Sequence, residues 1–173
     1  MKSEWLKNEE MQHVLRLLML ENRIAIQASI ATGLRISDIL TLKTEALERA
    51  SQRRITVKEQ KTGKTRRVYF PKEVYDDLMA ISGRYFVFEH RTDPKKHRTR
   101  QTVWKDIRRA AVALRLHERV TPHTARKIYA VALYRRTGDI QKVAQAMKHT
   151  SQAVTMIYAL ADEMTRRKHG KSY

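Results

Sequence analysis

The sequence predicts an α+β domain, mainly helical, with a small antiparallel sheet. Three observations point there. Apolar residues recur at helical spacing through most of the chain, as in Met11, Val14, Leu15 and Leu18. The period drops to two around Ile55 and Val57, and again near Val68 and Phe70. Only 5 glycines and 3 prolines punctuate the chain, and no stretch reads as a linker. With 173 residues, a single domain over 1–173 is expected, with 163–173 as a basic C-terminal tail.

Asn8, Glu9 and Glu10 open the first helix, a cap followed by acids at the positive end of the helix dipole. A second helix places Ile24, Ala28 and Ala31 inward and stops at Thr32-Gly33, where glycine supplies a left-handed turn. A short helix through Ile36, Ile39 and Leu40 follows, with Arg35 and Asp38 at its start. Arg54 to Lys58 and Arg67 to Phe70 alternate on either side of the charged turn Lys61-Thr62-Gly63-Lys64, which reads as a β-hairpin. Pro71 closes the hairpin, and a helix runs from about Lys72 to Ile81. Tyr85 to Phe88 reads as a short strand, and residues 90–100, the most basic stretch, as an exposed loop.

The helix from about Gln101 to Leu116 turns Val103, Ile107, Ala110, Ala111 and Leu114 inward. Thr121-Pro122 is a strong helix start, a cap with proline at the first helical position. That helix carries His123 and Arg126, shows an apolar face of Ile128, Val131 and Ala132, and stops at Thr137-Gly138. Another begins near Asp139 and presents Ile140, Val143 and Met147. Lys148-His149-Thr150 is a break, and Ser151 caps a last helix holding Val154, Ile157, Tyr158 and Leu160.

Charge narrows the function. Lys plus Arg is 36 against 18 acids, giving a formal net charge of +18. The isoelectric point is about 10.5. Such a chain repels itself unless a polyanion shares the load, so DNA, RNA and an anionic membrane surface are the candidate partners. The basic residues are spread along the chain, which favours a surface on the folded body over a disordered arm. No apolar run has the length of a membrane span, and the start MKSEWLKNEEMQ holds no secretory core. The absence of cysteine excludes disulfides and thiolate chemistry and suits a reducing cytoplasm.

The residues fit for chemistry are few. His123 and Arg126 share a helical face in a first turn, where free N–H groups and the dipole favour an anion. Taken singly, they read more simply as solvated side chains. Arg35 sits among apolar residues with Asp38 three positions on. That arrangement suits either a guanidinium aimed at phosphate or a structural ion pair. Lys61 and Lys64 flank a hairpin tip that could enter a groove, or remain a solvated turn. His149 lies in the break before the last helix, and Tyr158 lies nine residues later among apolar neighbours.

Order and spacing change the weight of this set. The run ATGLRISDIL, then KTGK on a hairpin, HTAR, KHTS and finally Tyr158 resembles the catalytic domain of the tyrosine recombinases, the phage-type integrases. The resemblance covers about residues 8–162. It implies six catalytic positions, Arg35, Lys61, His123, Arg126, His149 and Tyr158, with Asp38 supporting Arg35 and Lys64 the alternative to Lys61. It implies attack of Tyr158 on a DNA phosphodiester, with a 3′-phosphotyrosyl intermediate and no metal or other cofactor. Double-stranded DNA is the implied partner, contacted by Lys64, Arg98, Arg100, Lys105, Arg108, Lys127 and Lys148. A homotetramer on DNA and accessory DNA-bending proteins follow from the same resemblance, as does a cytoplasmic, bacterial or phage setting without a membrane.

Two positions depart from the family pattern. Met147-Lys148-His149 stands where Leu-Gly-His is usual, and Lys127 follows the helix arginine where His or Ser is common. The N-terminal clamp domain that most relatives carry is expected to be absent, the chain being either a fragment or a minimal member. Rival expectations are a type IB topoisomerase or telomere resolvase using the same residues, a non-catalytic DNA-binding protein of the same fold, and a basic RNA-binding protein.

Overall fold

A computed structural model describes residues 8–116 and 120–147. Helices α1 (Asn8–Leu17) and α2 (Leu20–Thr32) open the chain. Helix α2 is the central element and packs against α3 (Ile36–Leu40), α5 (Lys72–Ile81) and α7 (Pro122–Thr137). Its residues Ile24, Ala25, Ile26 and Ala28 lie in the main core with Met11, Leu34, Ile39, Phe70, Phe88 and Ile107. A smaller apolar cluster, Ala130, Leu133, Val143 and Met147, joins α7 to α8 (Ile140–Met147). No helix of the described residues is long and apolar enough to cross a membrane.

Strands β1 (Arg54–Lys58) and β2 (Thr65–Tyr69) pair antiparallel, with Arg54 opposite Tyr69 and Lys58 opposite Thr65. Ile55, Val57 and Val68 face the core, while the alternate positions of β1 face water. The helix expected from Lys72 to Ile81 is present with those bounds. Helix α7 begins at the Thr121-Pro122 signal, where Thr121 N–H donates to Thr124 Oγ1 at 3.1 Å. Helix α8 is capped by Asp139, whose Oδ1 accepts from Gln141 N–H at 2.8 Å.

Three expectations change. Tyr85 to Phe88 is not a strand: Phe86, Val87 and Phe88 are all buried, and Phe86 makes only an isolated bridge to Lys43. The second hairpin lies just beyond, β3 (Glu89–His90) against β4 (Asp93–His97), inside the stretch expected to be a loop. Its strands bury no apolar face, so they lack the alternation by which strands are recognised. A short helix, α4 (Thr44–Glu48), is additional. On α7, Ala132 is exposed while Ala130 and Leu133 are buried, because α7 packs against both α2 and α8 and not along one stripe.

The turn that delivers Arg35 is locked by hydrogen bonds. Gly33 adopts φ +69° and its N–H donates to Ser29 O at 2.8 Å. The Ser29 hydroxyl donates to Leu34 O at 2.7 Å, and Leu34 N–H donates to the Thr32 hydroxyl at 3.3 Å. A Cβ on residue 33 would run into the Tyr129 ring. Far from this turn, buried Asp106 on α6 (Arg100–Ala113) accepts from Met19 N–H and Asn22 Nδ2, each at 2.8 Å. It also pairs with Arg109 at 2.7 Å, so one carboxylate ties the α1–α2 connection to α6. Burial alone would raise its pKa, but the bonds from Asn22, Arg109 and Met19 together bring it below the ordinary value.

Candidate active site

Separate segments of the chain meet at one cleft of about 990 Å³. Arg35 at the start of α3, Lys61 on the β1–β2 turn, Arg100 and Trp104 on α6, and His123 in the first turn of α7 all line it. His97, at the end of β4, joins them.

Arg35 is held by an unexpected partner. Its Nη1 donates to Glu59 Oε2 at 3.0 Å, and the Glu59 side chain is 1% exposed. Asp38, the expected partner, faces elsewhere. Its Oδ1 accepts from Gln60 N–H at 2.9 Å, and Oδ2 has no hydrogen-bond partner among the described residues. The geometric reason is the short helix α3, which points Asp38 at the hairpin loop while Arg35 precedes the helix as its N-cap. Burial is the main cause that raises the Asp38 pKa. The Gln60 N–H and the charges of Arg35 and Arg126 pull the other way, and Glu59 adds to the rise.

Lys61 stands between two anchored neighbours. Gln60 is bound through its N–H to Asp38, and the Thr62 hydroxyl donates to Glu59 Oε2 at 3.1 Å. Gly63, at φ +66°, donates its N–H to Glu59 O at 2.8 Å, and Glu59 N–H donates to Lys64 O at 2.9 Å. The turn is therefore closed on itself, while Lys61 and Lys64 themselves are exposed.

Arg126 is 5% exposed, and its Nη2 donates to Met147 O at 2.9 Å. Its Nη1 is buried with no hydrogen-bond partner among the described residues. Burial first, then repulsion from Arg35 and Arg66, brings its pKa down to about 10, against the pull of Glu59 and Asp38. The guanidinium stays charged at neutral pH. A buried cation with an unpartnered N–H group and further arginines nearby is a place where an anion is stabilising.

His123 is exposed to solvent overall. Desolvation on its cleft side, then the charges of Arg126, Arg100, Arg35 and Lys127, hold its pKa below the usual histidine value. It is therefore neutral at pH 7 and able to accept a proton. Half-buried Lys127, next along the helix, has an ammonium pKa lowered by burial.

The other expected DNA contacts divide. Lys64, Arg100, Lys105 and Arg108 are exposed, and the Arg108 guanidinium lies over the Trp104 ring at 5.4 Å. Arg98 is held differently. Its side chain is 11% exposed, with Nη2 3.3 Å from Glu21 Oε1 and Nη1 donating to Asn22 Oδ1 at 3.2 Å. It ties the residue after β4 to α2, while its Nε is left without a hydrogen-bond partner among the described residues. Lys148, His149, Tyr158 and the tail 163–173 lie outside the described residues.

Two members of the cluster were not singled out from sequence, Glu59 and Arg66. Arg66 donates to Thr32 O and Ala146 O, and its Nη1 lies 3.9 Å from Glu59 Oε1. The signal for Glu59 was present: Ile55, Val57 and Glu59 continue one inward-facing period-two row. An acid at an inward position must be paired, and cations flank this one at Lys58 and Lys61.

Arg35 and Arg100, a lysine on an anchored turn and a neutral histidine line one cleft, and these are the kinds of group that phosphoryl transfer uses. The chain belongs to the phage integrase family, whose pattern it matches over residues 4–164. It has the fold of a tyrosine recombinase catalytic domain. It is 30% identical to the Bacillus subtilis protein named "Probable integrase/recombinase YoeC", over 92% of this chain and 90% of that protein. It is 31% identical to the tyrosine recombinase XerD of Ralstonia nicotianae, over 90% of this chain but 54% of that one. The chain thus spans nearly all of the first relative and about half of the second. The crystal structure of the XerH site-specific recombinase, in a post-cleavage complex with palindromic difH substrate, superposes with a TM-score of 0.75 at 21% identity. That match covers 97% of this chain and 52% of the XerH chain.

Proposed function

We propose that this chain is the catalytic domain of a site-specific DNA recombinase that cuts and rejoins double-stranded DNA through a 3′-phosphotyrosyl intermediate on Tyr158. The observation that carries the reading is the convergence of Arg35, Lys61 and His123 on one cleft, with the open guanidinium of Arg126 among the same charges.

In this reading the Tyr158 hydroxyl attacks the phosphorus and gives its proton to neutral His123. Arg35 and Arg126 bind the non-bridging oxygens as their charge grows, and His149 adds a hydrogen bond. The bond to the 5′-oxygen breaks, and that oxygen takes a proton from Lys61, with Lys64 as the alternative donor. Stabilisation of developing charge by fixed donors is the largest expected source of rate. The phosphotyrosyl ester conserves the energy of the broken bond, so rejoining needs no nucleotide. Lys64, Arg100, Lys105, Arg108, Lys127 and Lys148 would neutralise DNA phosphates around the cleft. Four protomers on two duplexes, with accessory DNA-bending proteins, complete the assembly in the cytoplasm of a bacterium, the protein being bacterial or phage-encoded.

The non-catalytic and RNA-binding readings are less favoured, because neither requires these groups in one cleft. Product topology separates recombination from its same-residue rivals, the type IB topoisomerase and the telomere resolvase. With two labelled duplexes carrying sequence from beside the protein's own gene, strand exchange to hybrid products is expected. Relaxation of supercoiled DNA without hybrid products would replace recombination by topoisomerase action.

A further inference from the structure

We propose that Glu59 is a positioning residue that sets Arg35 and Lys61 against the same phosphate. The inference rests on the reading of the cleft given above. Among the described residues, Glu59 is the one buried carboxylate that touches both arms. Through Oε2 it accepts from Arg35 Nη1 at 3.0 Å and from the Thr62 hydroxyl at 3.1 Å. Through its own backbone it closes the turn, accepting from Gly63 and donating to Lys64. Its second oxygen faces Arg66, which is bound to Ala146 O next to Met147, the residue whose carbonyl holds Arg126.

The consequence is mechanical. Lys61 lies between Gln60, pinned by Asp38, and Thr62, pinned by Glu59. A lysine on a free hairpin tip would sample many positions, because its four-carbon stem and its turn both move. With residues 60 and 62 fixed, only the side chain of Lys61 remains to be ordered. Because one carboxylate oxygen also fixes Arg35, the distance between phosphate clamp and proton donor is set by one group. Misplacing a reacting group by about 1 Å can cost roughly 10²-fold in rate. Glu59 makes no contact with substrate in this scheme and acts through its two partners.

The test compares wild-type protein, Glu59→Gln and Thr62→Val in covalent adduct formation on nicked duplexes taken from beside the protein's own gene. Each substrate is made with an ordinary phosphodiester or with sulfur replacing the 5′-bridging oxygen. On the ordinary bond, P–O cleavage sends the electron pair to an oxygen that needs the Lys61 proton. On the sulfur bond, P–S cleavage releases a thiolate that needs none at neutral pH. Glu59→Gln is expected to slow adduct formation about 10- to 100-fold on the ordinary bond, with DNA affinity within roughly twofold. The sulfur bond should recover a large part of that loss, the remainder being the share acting through Arg35. Thr62→Val, an exposed site, should show a smaller loss recovered almost fully, and it keeps the test open if Glu59→Gln does not fold. Equal losses on both bonds, or no loss, would overturn the assignment.

If the wild-type protein forms no adduct, the recombinase reading fails by itself. Amide hydrogen exchange then decides the role of Glu59: faster exchange at Gln60 and Gly63 in Glu59→Gln supports it, and unchanged exchange overturns it.

Discussion

Arg35 is bound to Glu59, 24 residues away in sequence, and not to Asp38 in its own helix. The contact fastens the start of α3 to the end of β1 and brings a helix-borne cation and a hairpin-borne cation to one cleft. The contact to Glu59 uses Nη1 of the Arg35 fork. Replacement by lysine keeps the charge but loses the planar fork. Arg35→Lys should therefore reduce the rate of adduct formation by about 10²-fold, as for loss of one oxyanion donor. DNA affinity, read by fluorescence anisotropy, should change little.

Salt dependence should separate surface cations from structural ones. Affinity for duplex DNA is expected to fall steeply with salt, because phosphate neutralisation releases counterions. Arg100→Gln, Lys105→Gln and Arg108→Gln should each reduce the slope of log affinity against log salt by roughly 1. Arg98→Gln should leave the slope unchanged. It should instead cost about 1–2 kcal/mol of folding stability, since it removes the contacts to Glu21 and Asn22. Titrations at several salt concentrations, with thermal melts of the same variants, check both.

His123 should take up its proton only below the usual histidine range. His123 is held below its ordinary value of 6.5, first by desolvation and then by nearby cations. By NMR its midpoint in the DNA-free protein should lie below 6.5, and Arg100→Gln should move it back upward. The sign for stability follows. Below about pH 6.5 the unfolded chain takes up the proton before the folded one, so this histidine lowers stability as pH falls through that window. Above it, the histidine is neutral in both states and contributes nothing. A midpoint at or above the ordinary value would contradict the electrostatic description of the cleft.

Gly33 carries a local constraint that is independent of chemistry. At φ +69° a side chain is strained, and a Cβ there meets the Tyr129 ring. Gly33→Ala should cost about 2 kcal/mol or more. For a chain of this size that lowers the melting temperature by roughly 4–8 °C, as calorimetry would record.

Much of the fold was legible because local signals and tertiary packing agree. Gly33, Pro71, Thr121-Pro122 and Gly138 mark element ends in the sequence and in the structure. The β3–β4 hairpin was not legible, because its residues Asp93 to His97 are polar and mostly exposed, leaving no periodic burial to read. In the candidate site, residue type and order pointed to Arg35, Lys61 and His123, which the structure brings to one cleft. Glu59 was missed because an acid in a basic hairpin looks like surface charge until strand register turns it inward. The contacts of Arg98 within the fold were not legible for the converse reason. Its place in the most basic stretch says nothing of the Glu21 and Asn22 that take up its fork from another helix.

The most direct measurement is covalent trapping. Wild-type protein and Tyr158→Phe are incubated with nicked duplexes from beside the protein's own gene, and protein–DNA adducts are resolved on a denaturing gel. The expected result is an adduct with the wild-type protein that is lost in Tyr158→Phe, with DNA affinity nearly unchanged. An adduct that persists without the Tyr158 hydroxyl, or tight salt-sensitive binding with no wild-type adduct, would contradict the proposed chemistry.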